Sequence, residues 1–554
     1  MSTTYDDVAG SAAGAPAAPP AGGTSYLDLG RGVIPWLFSL DHKRIGVMYL
    51  AGAGLSFVLG TILALVVRSQ LLHPGLALVE PGTFDRLFSL HGMVMVFLVL
   101  LPAIPAGLGN FLLPLMLGTR NVALPRLNLA AFHLYLLGAV LLLSAIITGG
   151  VDTGWNFEVP YALTSTSSVV LAILGVVSVA GSALLTAITF MVTIHTRRPR
   201  GMTWFRMPLF AWSLYAASAV TVLCAPLLGS SLLLLAADRL SGAGLFQPAA
   251  GGDPVLFAQM FWFAAHPAVY LALLPALGVV AEIVATFSGR PVANHRVVAL
   301  SFVALGACTL LGWGTHLLAG SQSELASVTA SALAPLAAVP LALVVFNLAA
   351  TLRGGGVRLE IPMVYALVSL GMLAVSAASG LLLANLATGT YFLGTAFEVG
   401  HLHYTVLGTV MAAFLAGLHY WWPKLFGRTW SPRSARFAGR ILFIGFNLAF
   451  FTQFLLGGRG VPRRLSTYAD APHTHYTLQW TSTMGAYLMA GALLLVFLYM
   501  RASFKRPRCA PANPWGGVTL EWSAASPPVP RNFTGPPWSA SPEGVTVPGG
   551  GRRA

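Results

Sequence analysis

Eight histidines lie inside long apolar runs of this chain: His91, His133, His195, His266, His316, His401, His403 and His419. An ionisable ring at membrane depth is costly, and such positions are usually functional. Any one of them alone reads as a hydrogen-bonded interior residue; the grouping points to metal ligation. His401 and His403 are two residues apart, which turns them about 200° from one another on a helix. They cannot share one metal, but they can hold two cofactors on opposite sides of the same helix. Imidazole is a standard axial ligand of heme iron. A six-coordinate heme needs a second histidine from another helix, and His91 is available. His266 and Tyr270 are four apart and share a helix face, with Pro267 breaking the backbone hydrogen bonding between them. His316 lies on the next helix, and two neutral imidazoles on neighbouring helices suit copper or iron.

These side chains need a membrane scaffold. Hydrophobic residues make up 56% of the 554 and charged residues only 9%, far below the roughly 25% charged of soluble domains. A membrane helix needs about 20 apolar residues. About twelve runs meet that criterion, near 45–67, 87–117, 129–149, 168–195, 208–236, 255–287, 297–318, 328–352, 363–387, 396–422, 437–457 and 482–501. The expectation is an all-α integral membrane protein with about twelve transmembrane helices.

The net charge of +14 sits in short loops, where it marks topology and faces anionic lipid rather than nucleic acid. Arg120 and Arg126, Arg197 to Arg206, Arg290 and Arg296, Arg353 and Arg358, and Lys424 to Arg440 follow the even-numbered runs; the alternate loops are poor in bases. That pattern predicts both termini cytoplasmic. One basic cluster breaks it: Arg459, Arg463 and Arg464 fall on the outer side, so something anionic is expected beneath them. Cys224, Cys308 and Cys509 form no pairing framework. Residues 1–25 lack an apolar core and read as a disordered tail with no cleavable signal. Residues 36–505 read as one membrane domain, and 506–554, rich in Pro, Gly and Ser, as an extended cytoplasmic segment.

Several motifs now coincide. Asp41-His42-Lys43-Arg44-Ile45-Gly46, His91-Gly92, Leu124-Pro125-Arg126-Leu127-Asn128, Asp152-Thr153-Gly154-Trp155, His266-Pro267-Ala268-Val269-Tyr270, His401-Leu402-His403-Tyr404 and Val461-Pro462-Arg463-Arg464 occur in that order. Asn513-Pro514-Trp515-Gly516, Thr519-Leu520-Glu521-Trp522, Ser526-Pro527-Pro528 and Asn532-Phe533 close the series. In order and spacing, from about residue 36 to 533, the chain resembles subunit I of the heme-copper oxidases, the cytochrome c oxidase type. The resemblance implies two hemes and a copper. His91 and His403 would ligate the low-spin heme and His401 the high-spin heme. His266 and His316 would ligate copper, and Tyr270 would match the tyrosine cross-linked to a copper histidine, a donor of a proton and an electron. Arg463 and Arg464 would hold heme propionates, which accounts for the outer basic cluster; Arg68 would lie at the low-spin heme's periphery. Partners would be lipid, subunits II and III, cytochrome c or another electron donor, and oxygen, in a bacterial inner membrane.

The chain also departs from that pattern. Where the family carries two adjacent histidines it has Thr315-His316, and a hydroxyl is a poor ligand for Cu(I). Cys308 is seven residues back, about 10 Å along a helix. Ala268, Ala264-Ala265, Asn121, Leu341 and Val344 stand at proton-relay positions, and Leu393-Gly394 at the outer magnesium pair. Glu398 is an unexpected carboxylate one turn before His401. The expected function is reduction of oxygen to water; the alternative is a paralog that keeps hemes but has lost copper-dependent chemistry. A nitric oxide reductase, needing more ligands, ranks behind both. A transporter is disfavoured, since its sites use broken helices and charges.

Overall fold

The computed structural model describes residues 24–30, 32–320, 322–468, 472–535, 539–541 and 544–546. Among them are twelve helices long and apolar enough to cross a membrane. They are α1 (His42–Gln70), α2 (Pro81–Met116), α3 (Pro125–Ile147), α4 (Val169–Arg197), α5 (Leu209–Ser241) and α6 (Pro254–Ser288). The second half comprises α7 (His295–Leu317), α8 (Glu324–Leu352), α9 (Ile361–Ala384), α10 (Ala396–Phe426), α11 (Pro432–Gly457) and α12 (His473–Ser503). Local chemistry starts them. Asp41 caps α1 by accepting from the Lys43 amide at 2.9 Å, and α2, α3, α6 and α11 begin on proline, which is preorganised for a first turn and has no N–H to leave unpaired.

Successive helices pack as antiparallel neighbours from α3 through α6, α11 lies along α12, and α12 returns to α1. The centre is α6, whose most apolar stretch is 78% buried against 22% for α1; both α9 and α10 contact it. The helices that carry His91, His266, His316, His401 and His403 are the four most buried of the twelve, as polar side chains at membrane depth require.

Two elements depart from regular helix. The α-helical part of α7 stops at Thr309, and after residues 310–312 the chain resumes as a 3₁₀ turn over Trp313–Leu317. The Thr309 hydroxyl donates back to the Gly306 carbonyl at 2.8 Å, diverting that acceptor where the helix ends. His316 thus stands on a tight turn beyond a break, a correction to its expected place on a continuous helix, and the helical spacing from Cys308 does not apply. Second, α2 and α10 open into π-helix directly after their histidines: Val94–Leu100 and Ala103–Gly109 in α2, Tyr404–Met411 in α10. Such widened turns are rare and concentrate at functional sites.

The ends of the chain close the basic face. Residues 1–23 of the expected N-terminal tail lie outside the described residues, but Ser25 and Tyr26 are buried, and the Tyr26 hydroxyl donates to the Leu425 carbonyl at 2.7 Å. Hydrogen bonds from Ser25 and the Arg508 guanidinium hold the Asp28 carboxyl down at about 2. The segment after Ser503 carries a 3₁₀ turn at Leu520–Ser523 and a short antiparallel pairing of Ser539–Ser541 with Gly544–Thr546. It lodges in the bundle ends: the buried Lys424 ammonium donates to the carbonyls of Ala512 (2.9 Å) and Ala524 (2.5 Å), and Asn532 accepts from Lys43 at 2.6 Å. Burial raises the Glu521 carboxyl above its usual range.

Candidate functional site

The imidazoles of His91 and His403 lie parallel within 3°, with centroids 6.4 Å apart. Each is tied by one nitrogen only. His91 donates from Nδ1 to the Gly60 carbonyl at 2.9 Å, and His403 from Nδ1 to the Val399 carbonyl at 2.8 Å. A carbonyl can only accept, so both Nε2 atoms keep a free lone pair. Two rings facing one iron from opposite sides have centroids about 6.3 Å apart, because imidazole binds first-row metals at about 2.0–2.1 Å. The pair fits a six-coordinate heme. Phe450 stacks on His403 at 4.1 Å and 12°, fixing its ring orientation.

Both rings line an apolar cavity of about 200 Å³, together with Arg68, Arg463, Gln479 and Phe450. Arg68 donates through Nη2 to the Gln479 carbonyl and side chain and to the Thr483 hydroxyl, each at 3.0 Å. Its Nε, and that of Arg464, are buried without a partner. Orphaned guanidinium donors are costly in a protein interior, and they suit an anionic group such as a propionate.

His401 points elsewhere from the same helix. Its Nδ1 lies 3.0 Å from the Ser379 hydroxyl, whose single proton is already given to the carbonyls of Val375 and Ser376. The serine oxygen therefore accepts from Nδ1–H, leaving Nε2 free for a metal. His266 and His316 lie within electrostatic reach. The Nδ1 of His266 is 2.9 Å from the Nε2 of His316. Two nitrogens bound side by side to one ion at about 2.0 Å are separated by roughly 2.8–3.3 Å, so this pair can share a metal. Trp262 stacks on His316 at 3.8 Å and 8°, and Tyr270 lies 5.6 Å from His266, ring to ring.

Thr315, beside His316, does not turn towards the two imidazoles. The Thr315 hydroxyl donates to the Gly312 carbonyl at 2.8 Å, and no group of three His, Cys, Asp or Glu side chains able to hold a metal occurs among the described residues. A Cβ at Gly312 would lie 2.8 Å from the His266 Nε2, so a larger residue there would displace the ring. The remaining donors suit a low-coordinate Cu(I) and not Cu(II), which prefers more nitrogen ligands.

The other membrane histidines have protein partners. His419 has both nitrogens engaged, with the Leu415 carbonyl and the Tyr499 hydroxyl, each at 2.6 Å. His133 holds the Leu37 carbonyl at 2.9 Å, and His195 sits beside Tyr215 at 3.1 Å. Arg463 and Arg464 meet protein carboxylates, Glu158 and Glu398. The sequence did not single out Glu158, Ser379, Trp262 or Phe450. No spacing marks those contacts; the near-invariable need of a ligating histidine for a second partner is the one signal that asks for Ser379.

A family model described as "Cytochrome C and Quinol oxidase polypeptide I" matches residues 44–488. Cytochrome c oxidase subunit 1 of Synechocystis sp. is 35% identical over 497 residues, covering 90% of each chain. Quinol oxidase subunit 1 of Bacillus subtilis is 34% identical over 503 residues, 89% of this chain and 76% of that one. A solved heme-copper terminal oxidase dimer shares the fold at a TM-score of 0.70, with 18% identity over 84% of each chain.

Proposed function

The chain belongs to the cytochrome c and quinol oxidase polypeptide I family, and on that premise we propose that it is the catalytic subunit of a respiratory terminal oxidase, passing electrons through a low-spin heme on His91 and His403 to a high-spin heme on His401, where oxygen is reduced to water. The observation that carries this reading is the parallel pair of singly tied imidazoles, separated as one iron requires. Heme, when bound, supplies one-electron redox chemistry and a site for oxygen. The protein's residues do the rest. The Gly60 and Val399 carbonyls set the tautomers of His91 and His403, and Ser379 does so for His401. Arg68 and the unpartnered Nε of Arg464 would donate to an anionic edge of the porphyrin. Tyr270, on the face of α6 that carries His266, is the donor of a proton and an electron, as in the family it resembles.

His266 and His316 would hold copper as Cu(I), weakly, for want of a third nitrogen. The turned-back Thr315 hydroxyl favours a second reading: a relative that binds hemes without copper-dependent oxygen reduction and serves as electron carrier, sensor or assembly component. Purified from its membrane, the protein should show both low-spin and high-spin bands and consume oxygen with reduced cytochrome c or a quinol. Whichever donor sustains uptake identifies the electron source. Full heme with no uptake from either donor defeats the first reading and leaves the second. The setting we propose is a bacterial inner membrane, with both termini cytoplasmic and subunits II and III-like alongside.

Proton pumping should be weak or absent. Asn121 has its amide engaged with the Leu40 carbonyl at 2.9 Å, and Val344 and Ala268 are buried apolar side chains. A relay needs titratable or hydroxyl groups at such points. In reconstituted vesicles, oxygen consumption should proceed with little outward acidification; robust acidification during turnover would reveal a route through other residues.

A further inference from the structure

Two protein carboxylates occupy the arginine pair that heme propionates were expected to claim. Arg464 gives both terminal nitrogens to Glu158, at 3.1 and 3.0 Å. Arg463 divides its own between Glu158 at 3.2 Å and Glu398 at 3.0 Å. The four side chains are 21–37% exposed, so their charges are screened less than on an open surface. Arg463 also lines the cavity that His91 and His403 share, which places the cluster at the edge of the low-spin site.

The loop that delivers Glu158 is shaped for the purpose. Asp152 anchors it. Burial alone would raise that carboxyl, but hydrogen bonds from Tyr161, Ser165 and Ser167 hold it below its usual range. Gly154 has φ +73, and a Cβ there would collide with an Arg464 nitrogen. Phe157 is fully buried, yet it adopts φ 51, a left-handed conformation that disfavours a bulky side chain. Such residues persist where the surroundings over-determine them, and they cluster at functional sites. The Glu158 amide then closes the turn on the Thr153 carbonyl at 2.9 Å. From the other side, Glu398 rides on α10 one turn before His401, its Oε2 also accepting from the Gly394 amide at 2.9 Å.

The two guanidinium groups and the two carboxylates bonded to them are formally neutral together, and Asp85 adds a further acid within electrostatic reach of Arg464 and Glu158. Reduction of a heme adds negative charge, which an uncompensated arginine nearby stabilises and a compensated one does not. We propose that Glu158 and Glu398 are built-in counter-ions that lower the reduction potential of the heme held between His91 and His403, by neutralising Arg463 and Arg464. This rests on the heme reading given above.

The test is a redox titration of the low-spin band in the full-length purified protein. Glu158→Gln and Glu398→Gln keep side-chain size and remove the charge. Both should shift the midpoint upward, Glu158→Gln by more because it meets both arginines. Glu158→Asp, which keeps the charge, should stay near wild type, and Glu324→Gln, outside the cluster, should not move it. Unchanged midpoints in both glutamine variants, with the low-spin band intact, overturn the proposal. So does an equal shift in Glu158→Asp and Glu158→Gln, which would mean packing and not charge. If Glu158→Gln fails to assemble, Glu398→Gln is read by the same criterion. Absence of a low-spin band in the wild-type protein overturns the heme reading itself, a failure distinct from an unmoved midpoint.

Discussion

His403→Ala or His91→Ala is expected to strip the low-spin heme from the protein and to cut oxygen uptake by more than about 100-fold, the upper end of what even outer-shell partners of metal ligands produce. Each ring would hold the iron through the nitrogen that its backbone partner leaves free, so either variant would be short of one ligand for a low-spin heme. The Phe450 ring stacked on His403 offers no replacement donor. His419→Ala is the matched control. It deletes a fully buried histidine from the same helix α10, but one whose two nitrogens are both spent on Leu415 and Tyr499. That variant should lose stability and keep its spectrum. Low-spin bands persisting in either ligand variant would refute the assignment.

The second large effect is a gain. In the native protein copper should be substoichiometric and oxygen reduction slow, since two imidazoles hold Cu(II) poorly. Thr315→His should carry copper towards one per chain and raise the oxygen rate about tenfold, a change of roughly 1.4 kcal/mol in the barrier. Position 315 adjoins His316 on the 3₁₀ turn and folds back over Gly312, which lies directly against His266. A ring there starts beside both existing donors. Elemental analysis and oxygen-electrode rates on the two proteins decide it. Full copper and fast turnover in the native chain would refute the erosion argument. No gain from the added histidine would mean that the site has decayed beyond one ligand, and the non-catalytic reading would move ahead.

The membrane helices were legible because lipid imposes a one-dimensional requirement, about 20 apolar residues per crossing, that leaves its mark on consecutive residues. The divergence of His401 and His403 was legible for a similar reason: two positions on one helix have a fixed angle between them. What escaped was set by other helices. Ser379 reaches His401 across 22 residues, Glu158 reaches Arg464 across 306, and Arg68 reaches Gln479 across 411. No local pattern encodes such partners. His316 was placed on a helix because residues 297–318 are predominantly apolar, and hydropathy does not register a hydroxyl that turns back on the Gly306 carbonyl or a glycine at the entry to a 3₁₀ turn. Glu398 was seen as anomalous beforehand because a carboxylate contrasts with its surroundings; its Arg463 partner became visible only in three dimensions.

The π-helical stretches have a consequence for how this chain can diverge. A π turn accommodates an extra residue within a helix. Deleting one from Val94–Leu100, Ala103–Gly109 or Tyr404–Met411 would restore α pairing locally but swing everything beyond it by about 100°, while inserting one would force a second bulge. Since α2 and α10 each carry a ring that must face the other, neither helix tolerates a change of length independently. A one-residue insertion or deletion in either helix should therefore cost heme binding, where the same change in a loop should not.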